Sequence, residues 1–447
     1  MSVITKEPAA SFPPAADPPD HLPAPESAGS FGSVIRLLVG LVVVTAIFLA
    51  AGLGDLLLFI AILIVIVMLH ELGHFATAKW SGMKVTEYFV GFGPRLWSVR
   101  RGETEYGVKA IPAGGYVRIT GFTMLDEVAA EDEARTYRQQ PFWKRIIVAS
   151  AGSAMHFLIA FVLSLIVVFS FGVASNNESV VALDNWHGVA HTPAQLAGLS
   201  TSDTIVSVNH HALTGPNSLR DDIERSGGHP VTLGVERDGH VRQVSVTPAD
   251  GRGIKAGGSV LAPASDTTPQ WFIGVELEPA AASEGLFASI GSAATNLGSA
   301  TSQEVTGVIR TFSPSGLSSV FHQVSNSKAA ARAAANPGNS VRPVSLVGIG
   351  GLGVQAERAG LESLLELLIL INVIFGLLNM LPMIPLDGGH VAVAAYEWIR
   401  TKKGEAYYRA DITKLFPVVV LFLAFQGVFV LSGVFLDLTH PLKNVFP

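Results

Sequence analysis

Leu69-His70-Glu71-Leu72-Gly73-His74-Phe75 is the stretch on which the reading of this chain turns. It fits the pattern H-E-x-x-H, and it lies inside a continuous apolar run, residues 56–80, that reads as a helix. On a helix, residues four apart share a face with Cβ atoms about 5–6 Å apart, so both imidazoles can reach one ion. Zinc accepts imidazole nitrogen at about 2.0–2.1 Å. Glu71 projects beside that face, where it can take a proton from a water acidified by the metal and later hand it to a leaving amine. Two histidines on a helix are commonly structural. Here, however, three ionisable groups fall within five residues of a strongly apolar helix. At a bilayer centre each costs about 2.5–3.5 kcal/mol, and a shared divalent cation offsets that cost.

Outward from the motif, the composition sets the fold class. Of the 447 residues 49% are hydrophobic and 15% charged, with a mean hydropathy of +0.42, which is wrong for a string of soluble domains. The apolar residues cluster into five expected transmembrane spans, at 34–54, 55–80, 146–172, 362–400 and 413–437. Gly52, Gly54 and Asp55 separate the first two as a helical hairpin. Residues 1–33 are rich in Pro, Ala and Ser and read as a disordered cytoplasmic tail; without a basic region beside Met1, the first span reads as a retained anchor. Eleven Lys/Arg lie between Lys79 and Arg145 and five between Arg400 and Lys414, so the positive-inside rule places both segments in the cytoplasm. Residues 173–361 and the tail 438–447 then lie outside. A net charge of −6 with no basic run excludes nucleic acid as a partner. Zero cysteines exclude disulfides and restrict a metal site to His, Asp or Glu.

Between the spans, residues 84–120 alternate β-branched and aromatic with polar positions, interrupted by Gly91-Phe92-Gly93-Pro94, Arg101-Gly102 and Pro112-Ala113-Gly114-Gly115. That pattern predicts a small sheet within a membrane-associated cytoplasmic segment, 81–145, whose charged stretch 122–140 is helix or loop. Residues 173–280 predict a compact α/β module with strands near 180–183, 204–208, 231–235, 241–246 and 272–277 and a helix near 218–225. Residues 281–361 read as a linker with an amphipathic stretch at 286–311 and a loop at 336–338.

A hydrolytic zinc commonly takes three protein ligands and keeps one position open. The candidate third ligand is Asp387, in Asn379-Met380-Leu381-Pro382-Met383-Ile384-Pro385-Leu386-Asp387-Gly388-Gly389-His390. It ends a span expected to run in the same direction as the one carrying His70, so both motifs reach one face of the membrane. Two prolines and two glycines break the helix, which lipid tolerates only where the backbone is buried in protein or lines a cavity. The freed backbone and the Asn379 amide can grip an extended substrate. His70 lies nine residues before Lys79, about 14 Å, and fifteen after Asp55, about 22 Å, which places it inside the hydrocarbon nearer the cytoplasmic face.

Together the two motifs resemble the site-2 protease family, intramembrane zinc metalloproteases of regulated intramembrane proteolysis. The likeness runs from about Leu57 to the C-terminus and includes Gly91-Phe92-Gly93-Pro94, the segment from Gly102 to Pro112, and Gly114-Gly115-Tyr116-Val117. It is greatest to the bacterial sigma-factor-pathway branch in its actinobacterial form. The resemblance implies Zn²⁺ held by His70, His74 and Asp387, Glu71 as base, and substrate backbone contacts from Asn379, Pro382 and the Gly114-Gly115 region. It further implies that the sheet offers a strand edge to an unwound substrate. One departure stands out: the family commonly shows Gly-Pro-x-x-Asn where this chain reads Gly152-Ser153-Ala154-Met155-His156. His156 is expected to be a hydrogen-bonded core residue, with a supporting polar role beside the site or pH sensing as alternatives.

Residues 192–209, from Thr192-Pro193 through Gly198-Leu199 and Asp203 to Asn209, resemble the central signature of a PDZ domain of bacterial protease type. Such folds bind an extended peptide or a C-terminus by strand addition. The resemblance implies an extracytoplasmic filter for membrane substrates already trimmed by another protease, with anti-sigma factors as the plausible class. The adjacent His210 and His211 read as solvated turn residues. The expected whole is a polytopic α-helical protein of the cell membrane with a cytoplasmic-side β-hairpin sheet and an extracytoplasmic PDZ domain. Two rival readings stay open: an anchored metalloprotease acting on soluble chains, and a non-enzymatic scaffold or transporter. The depth of His70 disfavours the first, and the carboxylate of Glu71 beside two ligands disfavours the second.

Overall fold

A run of thirteen residues from Leu56 to Met68 without proline, glycine or charge makes α2 (Gly54–Trp80) a helix, and its ends carry Asp55 and Lys79, each at the favourable end of the dipole. Gly82, at φ +80°, stops it in a left-handed turn that a side chain would strain. The structure is a computed structural model that describes residues 31–122, 126, 128–214, 218–256, 259–335, 341–402, 408–443 and 445–446. Among these, four helices are long and apolar enough to cross a membrane: α2, α3 (Phe142–Phe171), α10 (Leu361–Asn379) and α12 (Phe416–Thr439). α1 (Phe31–Ala50) lies where the first span was expected; its described apolar stretch is Val34–Ala50, and Gly52 (φ +69°) turns the chain between α1 and α2. α1 also takes in Phe31–Ser33, the last three residues of the stretch expected to be disordered; residues 1–30 of that stretch lie outside the described residues. The span expected at 362–400 is divided: α10 stops at Asn379 and α11 (Asp387–Arg400) starts after a loop, since Pro382 and Pro385 have no N–H to continue the helix.

The chain forms two compact units. The first takes residues 1–155 and 378–428. Here β1 (Val85–Arg101) and β2 (Thr104–Ile119) turn over at Gly102 (φ +62°) and are bent at Gly91, Gly93 and Gly114, as the turn residues predicted. The bends divide the two strands into four segments. Tyr88 pairs with both Tyr106 and Val117, and Phe89 with both Gly107 and Tyr116, so the Val85 to Val90 segment is interior and the Gly115 to Ile119 segment forms an edge. Phe75 of α2 packs on the rings of Tyr88 and Tyr106 at 5.3 and 5.8 Å, and the Tyr88 hydroxyl donates to the Met68 carbonyl at 2.7 Å. Ala78, Met83, Val85, Ile119, Tyr137, Val148 and Ala149 close a core beneath that contact. α2 and α3 approach so closely at Gly73 that a Cβ there would lie 3.0 Å from the Ala151 carbonyl carbon. The charged stretch 122–140, where described, is loop with two short 3-10 turns.

The second unit takes residues 156–377 and 429–447. Its sheet has the order β12-β3-β4-β6-β7, from β12 (Val275–Ala282), β3 (Val173–Leu183), β4 (Thr204–Val208), β6 (Val231–Arg237) and β7 (His240–Val246), with β5 (His211–Ala212) beside β4. Ile205, Val208, Leu233, Val235 and Leu219 of α5 (Ser218–Arg225) fill its core. The strands predicted near 180–183, 204–208, 231–235 and 241–246 and the helix near 218–225 coincide with β3, β4, β6, β7 and α5, whereas the one near 272–277 is interrupted at Ile273-Gly274 between β11 (Trp271–Phe272) and β12. The short elements α4 (Pro193–Leu196), β8 (Ala249–Asp250), which pairs with β11, and the paired β9 (Lys255–Ala256) and β10 (Ser259–Val260) complete the module. Residues 281–361, expected as a linker with an amphipathic stretch at 286–311, hold four helices among the described residues: α6 (Leu286–Phe312), which takes in that stretch, α7 (Pro314–Ser325), α8 (Ser327–Ala335) and α9 (Leu346–Ala359). The loop expected at 336–338 falls outside the described residues. Asp437 of α12 is buried and accepts from the Ser345 N–H at 2.7 Å, the Ser345 hydroxyl at 2.8 Å and Arg342 at 3.0 Å.

Candidate metal centre

One turn of α2 brings His70 and His74 to the same face, both buried, with their Nε2 atoms 3.3 Å apart. The third side chain arrives from 313 residues further along, a separation of 387 − 74. Asp387 is the first residue of α11, and its Oδ2 lies 3.2 Å from His74 Nε2 and 3.6 Å from His70 Nε2. What delivers it is the Asn379–Asp387 loop, folded back on the first turn of α11. There a Cβ at Gly389 would meet the Ile384 nitrogen at 2.6 Å, so the glycine pair is what lets the loop close.

The spacing of these three atoms tests the fit to a metal. Ligands placed tetrahedrally at about 2.0–2.1 Å from zinc are about 3.3–3.4 Å from one another. Observed separations of 3.2, 3.3 and 3.6 Å match one face of such a tetrahedron. A proton shared by His74 and Asp387 would join two of the atoms, whereas one cation serves all three. The tautomer agrees as well. His74 Nδ1–H donates to the Val148 carbonyl of α3 at 2.7 Å, which leaves Nε2 with its lone pair turned to the centre. This trio is the only group of three or more potential ligands found among the described residues.

Glu71 stands beside the trio on the sheet side. Its Oε2 accepts from the Val117 N–H at 3.0 Å, and a Cβ on Gly115 would lie 3.6 Å from its Cγ. The edge segment of β2 therefore lies directly against Glu71. Of the other residues singled out by sequence, Gly115 touches this wall, and Gly114, at φ +138°, makes the bend before it. Asn379 closes α10 and Pro382 is exposed at the head of the loop that ends in Asp387. His156 belongs to the second unit, where its Nδ1–H donates to Asn372 Oδ1 at 2.9 Å and Asn372 Nδ2 donates to the Leu368 carbonyl. It is a hydrogen-bonded core residue. His210 and His211 are exposed at a turn, with His210 at φ +67°.

Three contributors escaped the sequence. Gly152 lies so near the trio that a Cβ there would be 2.6 Å from His70 Nε2 and would overlap His74 as well. Val148 sets the His74 tautomer and Val117 holds Glu71, both through backbone atoms that any residue type carries. Only Gly152 left a signal, as a glycine in the interior of an apolar helix, where it costs about 1 kcal/mol relative to alanine.

The sequence profile described as Peptidase family M50 matches residues 58–424. Zinc metalloprotease Rip1 of Mycolicibacterium smegmatis is 32% identical over 424 residues, covering 88% of this chain and 98% of that protein. Zinc metalloprotease Rip1 of Mycobacterium tuberculosis is 38% identical over 196 residues, 41% of this chain and 48% of that protein.

Proposed function

The chain belongs to peptidase family M50, the site-2 protease family, and is a multi-pass membrane zinc metalloprotease; from that premise we propose that it cleaves single-span membrane proteins within the bilayer. The observation that carries the proposal is the meeting of His70 and His74, buried on the apolar helix α2, with Asp387 from the start of α11, and with Glu71 beside them. In this reading the trio holds the zinc. When bound, zinc supplies Lewis acidity, which makes water a nucleophile near neutral pH and polarises a carbonyl. Glu71 takes the water's proton and returns it to the departing amine. The Val117 N–H anchors one oxygen of its carboxylate and leaves the other for the proton.

A peptide bond inside a helix is hidden by its own hydrogen bonds. The substrate must therefore unwind, and the Gly115 to Ile119 edge offers its backbone replacement partners. Asn379 and Pro382, with the Gly114-Gly115 bend, contact the substrate chain in the same reading. The sheet lies at the cytoplasmic side and the site near that face of the cell membrane, as the distribution of Lys and Arg supports. The β3 to β12 module is a PDZ domain outside the membrane that admits a trimmed peptide or C-terminus. The plausible substrates are anti-sigma factors already shortened by another protease.

The test compares wild type with Glu71→Gln, purified in detergent. Zinc content is expected to be unchanged and cleavage of a synthetic transmembrane peptide to fall at least about 100-fold, the low end for a lost acid–base group. Full cleavage by the mutant would remove Glu71 from its role. A soluble unfolded chain cut as fast as the transmembrane peptide would favour an anchored protease over an intramembrane one.

A further inference from the structure

The helices α6 to α8 hold a cavity of about 510 Å³ that the proteolytic site does not use. Arg310, Arg332 and His322 line it, together with Ser315, Ser319 and Gln323, and no carboxylate is among its described lining residues. Gln323 is 4% exposed; its Nε2 donates to the Val341 carbonyl, while Oε1 is buried with no hydrogen-bond partner. The cavity thus joins two guanidinium groups, an imidazole, two hydroxyls and an unanswered acceptor, a lining suited to an anion that also carries a donor.

The surroundings identify the carrier of that anion. On α6, Phe287, Ile290, Val305, Ile309 and Phe312 fall within an arc of about 100°, and all five are exposed, Phe287 at 89% and Ile309 at 67%. Phe321, exposed at 51%, precedes His322 on α7. The cavity's cations therefore alternate along the chain with large apolar side chains, as in helices that lie in the membrane interface. Depth agrees. Phe312 packs on Phe429 of α12, ten residues before its end at Thr439, and Ser327 Oγ lies 2.9 Å from His440 Nε2, just past that end. The cavity wall thus reaches from Phe429, about 15 Å inside the membrane-crossing helix, to its end, where Ser327 of α8 lies beside His440.

We propose that this cavity binds the headgroup of an anionic phospholipid, its phosphate met by Arg310 and Arg332 and a headgroup hydroxyl by Gln323, with the acyl chains along the exposed face of α6. The site does not depend on the zinc centre. The full-length protein in detergent, examined by native mass spectrometry, should retain dioleoyl phosphatidylglycerol at least tenfold more tightly than the variant R310Q/R332Q. Ser319→Asp, which keeps both arginines and adds a carboxylate to the wall, should weaken retention likewise. A thermal unfolding transition unchanged from wild type in the same detergent reports that each variant is folded. Equal retention by wild type and both variants would overturn the proposal. So would retention of diolein, which lacks phosphate, as tight as that of the phospholipid, or displacement of the lipid by inorganic phosphate at equal concentration, which would make the site one for a soluble anion.

Discussion

At the scale of single residues, the centre is assembled by what is missing as much as by what is present. His70 and His74 need a partner helix close enough for Val148 to reach His74, and a side chain at Gly152 would occupy the space their ring nitrogens face. Gly152→Ala should therefore lower zinc content more than tenfold, although alanine favours a helix over glycine by about 1 kcal/mol. Gly291→Ala in α6 is the control, since a Cβ there meets nothing within 4 Å. Metal analysis of both purified variants decides the matter: equal zinc in the two would show that the close approach at Gly152 has no bearing on the centre. The same variants separate metal loss from unfolding, because only the first should alter zinc content.

Single elements are secured where polar groups leave the apolar region. Glu103, in the turn between β1 and β2, accepts from Arg135 at 2.8 and 2.9 Å and from Lys79 at 2.6 Å, tying the end of α2 to the sheet. The Arg135 guanidinium, followed by Lys79, pulls its carboxyl down from the usual 4.5 to about 2. A lowered folded-state value means that the contribution is complete above about pH 4.5 and is lost as pH falls toward 2. Wild type should then lose thermal stability between pH 5 and pH 3 by more than Glu103→Gln, measured by unfolding in the same detergent. Parallel losses would show that the cluster adds nothing. Deeper in the same unit, Arg145 of α3 and Glu397 of α11 pair at 2.5 Å with side-chain exposures of 3% and 0%. Removing one partner of such a pair costs about 3–5 kcal/mol, so it registers α11, and with it Asp387, against α3.

For the molecule as a whole, the sheet of the second unit enters and leaves at one place. Val173 at the start of β3 pairs with Ala282 at the end of β12, and Gly172 packs against the Ala282 carbonyl with φ +87°. A module whose ends meet can be excised with a short joint. Deleting residues 176–279 should leave cleavage of an already short transmembrane peptide within about threefold of wild type. A substrate with an untrimmed outer domain should become cleavable, if the module is the filter proposed for it. Loss of activity on the short peptide would instead make the module part of the catalytic fold. Comparing the two substrates in one preparation separates these outcomes.

Local pattern alone determined a good deal. Apolar runs of bilayer length, a four-residue spacing of histidines and turn residues at regular intervals act over a few neighbours, and helices and strands answer to that range. Hence α2, β4 and α5 lie where the sequence placed them, and Asp387 could be named from the broken helix around it. Where the sequence said less, the signal was weaker: the amphipathic stretch at 286–311 announced α6, whereas α7, α8 and α9 were not foreseen, and α6 meets α12 through Phe312 and Phe429. Only the tertiary structure decided that Asp387 Oδ2 stands 3.2 Å from His74, that Gly152 leaves room for the rings, and that the carbonyl of Val148 and the N–H of Val117 aim the two working side chains. Those are contacts between segments far apart in the chain, several made by backbone groups common to every residue, and one-dimensional pattern carries no record of them.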